Sequence, residues 1–364
     1  MRVKIHGAGS IGNHLAHAAR RLGWSVDLCD IDPAALKRAR NEVYPGRYGV
    51  WDERIGLYSS DVAPRGGYDL ICIGTPPPAH LPLALEAVRE QPRAVLVEKP
   101  VCPPDLVGVE ALEEAIAASG VAVFAGYDHV VGRAGQRAAE LISDGGYGDL
   151  QTLDVEFREH WGGIFAAHPW LAGPRDSYLG YWQRGGGAAG EHSHATNLWQ
   201  HLAAVAGAGR VTEVDAHLDY VRDGDVHYDR LCFLTLVTEG GLVGRVVQDV
   251  VTSPARKWAR AQCANGYVEW HCGHAPGRDA VIHAHTGSPE AAEIIEKTRP
   301  DDFMEELRHI ATALENDPAA SPLALPRGLD TMLVIAAAHR ASAERRAIRI
   351  DYAKGHTLAA LGAA

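Results

Sequence analysis

The sequence predicts two domains of different class: an α/β domain with a parallel sheet, then an α+β domain built mainly on antiparallel strands. Three observations carry this expectation. The first 125 residues alternate short, unbroken apolar runs with segments of helical spacing. Later runs at 151–158, 230–238 and 242–250 alternate in strand fashion instead. Strands covered on both faces read as continuous apolar runs, whereas strands with one wet face read as alternations. The chain has 364 residues, enough for two cores, which gives expected domains of 1–125 and 126–364.

Taken in order, residues 2–6 form a strand that runs directly into Gly7-Ala8-Gly9-Ser10-Ile11-Gly12. Ile11, Leu15, Ala18 and Leu22 then recur at helical spacing, and a second strand, 25–29, ends at Asp30. Further strands are expected at 70–73, 94–97 and 121–124, with helices over 83–88 and 112–118. In the second part, Asn265-Gly266 between 260–264 and 267–271 reads as a hairpin turn. Residues 302–314 and 328–344 are helical by period, and 348–351 reads as a last short strand. No internal repeat is visible.

Composition narrows the classes of function. Hydrophobic residues make up 46% and charged residues 22%, as in ordinary globular chains. The net charge of −11 argues against a nucleic-acid partner, which needs a basic patch. No run of eighteen apolar residues suggests a membrane span, and the N-terminus lacks the apolar stretch of a signal peptide. Six cysteines are scattered without a CxxC pair, and Cys29 and Cys72 read as small buried hydrophobes. A cytoplasmic location is the resulting expectation.

The order strand, glycine turn, helix, strand, acid is a dinucleotide-binding fingerprint, although a glycine turn alone also occurs in other α/β proteins. Gly7 permits the tight turn, Gly9 lets the backbone approach a pyrophosphate, and Gly12 lets the helix pack closely. Ser10 and Ile11 sit at the helix N-terminus, where free N–H groups and the dipole favour phosphate. Asp30, followed by Ile31, would accept hydrogen bonds from the adenosine ribose hydroxyls. Its charge would repel a 2′-phosphate, so NAD is favoured over NADP, and Asp32 strengthens the preference.

Two segments fall at strand ends, where such sheets bind ligands. In Gly74-Thr75-Pro76-Pro77-Pro78-Ala79-His80, Thr75 and Pro76 would run beside the nicotinamide ribose, and His80 reads first as a residue that caps or packs the following helix. In Glu98-Lys99-Pro100, the lysine is placed to reach a substrate hydroxyl, the bland alternative being a surface ion pair.

With these residues assembled, the chain resembles the glucose–fructose oxidoreductase / inositol dehydrogenase (Gfo/Idh/MocA) family over essentially its whole length. The carrying residues are Gly7–Gly12, Asp30, Thr75-Pro76 with His80, Glu98-Lys99-Pro100, Gly126-Tyr127-Asp128-His129, and Gly185-Gly186-Gly187 before a histidine-bearing segment. The resemblance implies an N-terminal Rossmann domain and a C-terminal α+β domain with a large, mostly antiparallel open sheet. It also implies an NAD(P) cofactor, a homodimer or homotetramer built on one sheet face, a sugar or cyclitol substrate, and no metal.

Many members carry an aspartate after the glycines and a histidine four residues on, both facing the nicotinamide. Counting forward from Gly187 puts Glu191 and Ala195 at those positions, whereas counting back from His-x-x-Asn-Leu puts His194 at the histidine. Alanine moves no proton, so the second count is preferred. Glu191 and His194 are then at i, i+3, on one helix face, while His192 points elsewhere, to a structural hydrogen bond or one with the substrate. His194 would take the hydroxyl proton, Lys99 would stabilise the alkoxide, and Glu191 would hold the imidazole tautomer or bind a neighbouring hydroxyl.

The aromatic segment 160–184 contains Trp161, which could stack on a sugar face, and follows Arg158, which with Arg175 and Arg184 could bind an anion. A lid or a dimer contact is an equal reading of that segment. Tyr127 and Asp128 are candidate substrate contacts, with packing at the domain junction as the alternative. His271, His274, His283 and His285 are assigned nothing. The leading expectation is an NAD-dependent enzyme interconverting a secondary alcohol and a ketone on a sugar, sugar derivative or cyclitol. Reduction of another small carbonyl or C=C substrate is the runner-up, and a non-catalytic NAD-binding regulator the third reading.

Overall fold

A computed structural model describes residues 1–166, 168 and 170–364. The N-terminal strands β1 (Arg2–His6), β2 (Ser25–Asp30), β3 (Ile55–Ser59), β4 (Leu70–Ile73), β5 (Ala94–Glu98) and β6 (Ala122–Gly126) form one parallel sheet in the order β3-β2-β1-β4-β5-β6. The apolar runs foreshadow this arrangement. Ala94, Val95, Leu96 and Val97 are all completely buried, as are Leu70, Ile71, Cys72 and Ile73. Each such Val, Leu or Ile contributes roughly 1.5–3 kcal/mol through burial. The chain passes to opposite sides of β1, to β2 and then to β4, and this reversal opens a crevice at the strand ends.

The second sheet has ten strands: β7 (Leu150–Arg158), β8 (Val211–Asp223), β9 (Val226–Thr238), β10 (Val243–Asp249), β11 (Arg256–Cys263), β12 (Gly266–Ala275), β13 (Arg278–His285), β14 (Ala291–Glu296), β15 (Ile348–Ile350) and β16 (Leu361–Ala363). Their order is β14-β13-β12-β11-β7-β10-β9-β8-β15-β16. Every pair is antiparallel except β7 with β10, so the sheet is mostly, not wholly, antiparallel. In β9 the expected alternation holds: Cys232, Leu234 and Leu236 are buried and Phe233 and Thr235 exposed. Helices Arg133–Ser143, Ser193–Val205 and Leu325–Glu344 pack on the sheet.

The sequence division at residue 125 is not a clean division in space. Helix Arg299–Glu315 packs on helix Ser10–Arg21, and Phe124 of β6 bridges to Ala324. Late chain thereby completes the layer over the early sheet and walls the crevice. No described helix is long and apolar enough to cross a membrane.

Candidate active site

The ends of β1, β4, β5 and β6 open into a cleft of about 1030 Å³. Gly9, Ser10 and Ile11 line it after β1, Thr75 and Pro76 after β4, Glu98 and Lys99 at the end of β5, and Gly126, Asp128 and His129 after β6. The opposite wall carries Glu191, His192 and His194 with Phe157, Glu159 and Lys257. Residues from distant parts of the chain therefore converge on one space.

The glycine loop is built for close contact. Gly7 sits at φ +101°, and a Cβ there would lie 2.6 Å from the Gly74 carbonyl oxygen. A Cβ at Gly12 would lie 1.8 Å from the Gly7 oxygen, so this glycine is required by the turn itself, not chiefly by the helix–strand packing expected of it. Above Gly9 there is open space. Asp30 accepts hydrogen bonds from Ala8 N (2.7 Å) and Asp32 N (2.8 Å), bracing the loop, while Asp32 caps the next helix through Ala34 N. Ile31 is 86% exposed beside it. Arg47 donates to the Ser10 carbonyl (3.0 Å) and hydroxyl (2.9 Å), a cation at the loop that sequence reasoning missed.

His80 is fully buried and ties two loops, its Nε2 lying 2.6 Å from the Thr75 carbonyl and its Nδ1 2.9 Å from the Pro100 carbonyl. It is thus a strap at the start of helix His80–Arg89 and not a lining residue. Glu98 is buried, and that burial pushes its carboxyl up to about 8.

Lys99 crosses the cleft. Its Nζ donates to the Glu191 carbonyl (2.8 Å) and pairs with Glu191 Oε1 at 3.2 Å. Burial disfavours the Glu191 carboxylate, but Lys99 and His192 outweigh burial and hold its carboxyl below the usual range. Tyr178 donates to Glu191 Oε2 at 3.3 Å. The glycines before this segment are explained by Asp229: at Gly187, φ +76°, a Cβ would lie 1.9 Å from Asp229 Oδ1, and the other oxygen accepts from Ala189 N at 2.7 Å. That buried carboxyl sets the start of the short helix Gly187–Glu191.

The helix then breaks at His192 (φ −97°, ψ 24°), and a new one runs from Ser193 to Val205. Two expectations are corrected by this break. Glu191 and His194 do not share one helix face, and His192 does not point away, since all three line the cleft. Nor does Glu191 hold the imidazole. Asp128 Oδ1, instead, lies 3.6 Å from His194 Nδ1. Burial, with His129 and Lys99 adding to it, drives the His194 ring well below its ordinary value, and burial drives Asp128 up. Both rings at 192 and 194 are therefore neutral at physiological pH, burial taking His192 down to about 4.

Three expected substrate contacts are displaced. Arg158 is committed to the buried Asp249 carboxylate at 2.6 Å and does not line the cleft. Trp161 is 7% exposed and packs on Phe165 and Tyr228. Tyr127 is 1% exposed and backs His194 edge-on, with ring centroids 5.6 Å apart. The aromatic segment instead contributes Ile164, His168, Trp170 and Tyr178 to the wall, whereas Arg175 pairs with Asp223 and Asp225 and Arg184 stacks over Tyr181. Ala167 and Pro169, within that segment, lie outside the described residues. Besides Lys99, the cleft is lined by Arg21, Arg47, Lys257 and Arg299, which carry no sequence signal beyond their charge.

Comparison with known proteins agrees with this architecture. Residues 1–127 match the model of the Gfo/Idh/MocA family, an oxidoreductase family with an NAD-binding Rossmann fold. A search of curated proteins finds no match. Among solved structures, an aldose-aldose oxidoreductase from Caulobacter crescentus superposes with a TM-score of 0.75 at 20% identity, covering 96% of this chain and 99% of its own. A levoglucosan dehydrogenase in complex with NADH and L-sorbose gives 0.76 at 15% identity over 96% and 98%. The WlbA dehydrogenase from Bordetella pertussis, with NADH and UDP-GlcNAcA, gives 0.70 at 19% identity over 96% and 98%. Residues 1–127 thus match the Gfo/Idh/MocA family of NAD-binding oxidoreductases, and the chain as a whole shares its two-sheet fold with these solved structures.

Proposed function

We propose that the protein oxidises a secondary alcohol, or reduces the matching ketone, on a sugar, sugar derivative or cyclitol, with NAD rather than NADP. The observation that carries this is the meeting of Lys99 from the strand-β5 end with Glu191, His192 and His194 from the far wall of one cleft. Glycines 7, 9 and 12 with Ser10 and Ile11 fit a dinucleotide: the space above Gly9 is open, and the helix Ser10–Arg21 presents its first N–H groups there. Asp30 and Asp32 add negative charge where a 2′-phosphate would sit. Bound NAD supplies a hydride acceptor.

The chain's own residues then divide the work. His194, kept neutral by burial, accepts the hydroxyl proton on Nε2 while Asp128 faces Nδ1 and steadies the ring as it gains charge. Lys99 donates to the developing alkoxide from a site largely closed to water. Glu191 holds the ammonium and, with Tyr178, its position. The family resemblance supports a homo-oligomer built on the open face of the ten-stranded sheet.

The test is a screen of polyols, aldoses, cyclitols and nucleotide sugars with NAD+ and NADP+, followed at the nicotinamide absorbance band. Turnover of at least one such alcohol with a preference for NAD is expected. Nicotinamide reduction by none of them, despite measurable NADH binding, would sink the alcohol–ketone reading.

A further inference from the structure

Asp128 and His194, given proton-handling roles above, form a compact cluster with His129, which has none. Asp128 Oδ1 lies 3.6 Å from His194 Nδ1 and 3.9 Å from His129 Nδ1, and one ligand atom of each of the three lies within 4.8 Å of the others. Asp128 Oδ1 and His194 Nδ1 are buried and have no hydrogen-bond partner among the described residues. Buried polar atoms are normally satisfied, and leaving them bare is costly. A tetrahedral centre with bonds of about 2.0–2.2 Å sets its ligand atoms roughly 3.3–3.6 Å apart. The two edges to Asp128 need close by only a few tenths of an ångström, and the His129–His194 edge, at most 4.8 Å, needs to shorten further. We propose that Asp128, His129 and His194 form a binding site for a divalent transition-metal cation, with Zn2+ as its type, and that occupation inhibits the enzyme.

Two imidazoles and one carboxylate, with a fourth position open to the cleft, suit Zn2+ or Co2+ and not the all-oxygen cations. Imidazole ligates through a free ring nitrogen, and the Nδ1 atoms of both rings are the ones that face Asp128 Oδ1. The lysines near the site are themselves paired. Lys99 and Lys257 already have Glu191 and Glu159 as partners, and Arg299 stands at the cleft wall. Glu98 and Glu306 are buried, with carboxyls raised by burial, and both Glu306 oxygens lack partners among the described residues. A cation nearby favours their ionised forms.

Inhibition follows from the tautomer, and this half rests on the proton-accepting role given to His194 above. A neutral imidazole carries one proton. As base, the ring keeps it on Nδ1 toward Asp128 and offers the Nε2 lone pair. A metal on Nδ1 takes that place and leaves the proton on Nε2, so the ring can accept nothing.

The experiment uses the full chain without an affinity tag. Co2+ is titrated and read by visible absorption, Zn2+ by equilibrium dialysis, and turnover is measured with and without Zn2+ and EDTA. Expected are one Co2+ per chain with a tetrahedral absorption band, and Zn2+ inhibition reversed by EDTA. Outer-shell changes alone cost about 10–100-fold in metal affinity, so His129→Asn and His129→Gln should weaken binding by at least tenfold. Both variants should keep basal turnover yet need at least tenfold more Zn2+ to lose it. Absence of stoichiometric Co2+ binding, or equal binding by folded His129 variants, overturns the site. Turnover undiminished with Zn2+ at the site overturns the inhibitory role. Metal bound at the site in a protein that turns over no alcohol upholds the site while removing the dehydrogenase reading.

Discussion

Replacing Lys99 by alanine tests the site through two independent readouts. The ammonium contacts Glu191 at 2.8 Å (carbonyl) and 3.2 Å (carboxylate), with the two side chains only 13% and 16% exposed. Without it, burial, the largest influence on Glu191, is opposed only by His192 and Lys257, and the carboxyl is expected to rise above its ordinary value of 4.5. Proton uptake then limits the penalty: at pH 7.5 it cannot exceed about 4 kcal/mol, three pH units at roughly 1.36 kcal/mol each. The signs are opposite in the two proteins. In the wild type the depressed carboxyl contributes stability above pH 4.5 that is lost as pH falls through its folded-state value. In the variant the raised carboxyl is a liability above pH 4.5, and the liability shrinks by about 1.4 kcal/mol per pH unit on acidification. Chemical denaturation should show a stability gap that narrows by up to about 2.7 kcal/mol between pH 7.5 and 5.5. Turnover should fall by about 10²–10³, the usual loss when a donor to a developing oxyanion is removed, with NAD affinity little changed. A gap independent of pH, or turnover within tenfold of wild type, would refute the pairing or the role in turn.

His194→Ala should lower kcat by about 10²–10⁴ and His192→Ala by tenfold at most, and the reverse ranking would mean that the wrong ring was chosen. Because burial holds His194 well below 6.5, the acid limb of kcat/KM for alcohol oxidation should lie below pH 6.5; a limb at or above that value would mean that another group is titrating. Asp30→Ala should weaken NAD binding and shrink the NAD-over-NADP preference by at least tenfold in Kd ratio, as read by NADH and NADPH fluorescence. Gly12→Ala should cost about 1–3 kcal/mol or more and abolish tight NAD binding, since the added methyl would lie 1.8 Å from a carbonyl oxygen; an unchanged melting temperature would contradict the close approach.

Legibility in the sequence follows from how local each signal is. The central strands of the first sheet are plain because burial on both faces demands unbroken apolar runs, as in Ala94–Val97. β3 (Ile55–Ser59) was not expected: it is an edge strand whose mixed residues are mostly half-buried. Helix Arg133–Ser143 was missed although its Ala134, Ala138 and Leu141 fall on one buried face, because small alanines give a faint apolar signal. The parallel pairing of β7 with β10 joins strands about ninety residues apart and leaves no local mark. In the site, the lysine and the histidine segment were visible as motifs. The partner of His194 was not, because Asp128 reaches it only through the fold, and the short helix that ends before His192 is started by a buried Asp229 forty residues away.

The strap at His80 has a consequence of its own. Burial holds this imidazole below its ordinary value, so it carries a single proton, yet carbonyl oxygens face both of its nitrogens. One oxygen is served and the other confronts a lone pair, whichever tautomer prevails. The stretch beginning at Thr75 and the stretch carrying Lys99 thus compete for one hydrogen, and tightening either one loosens its rival.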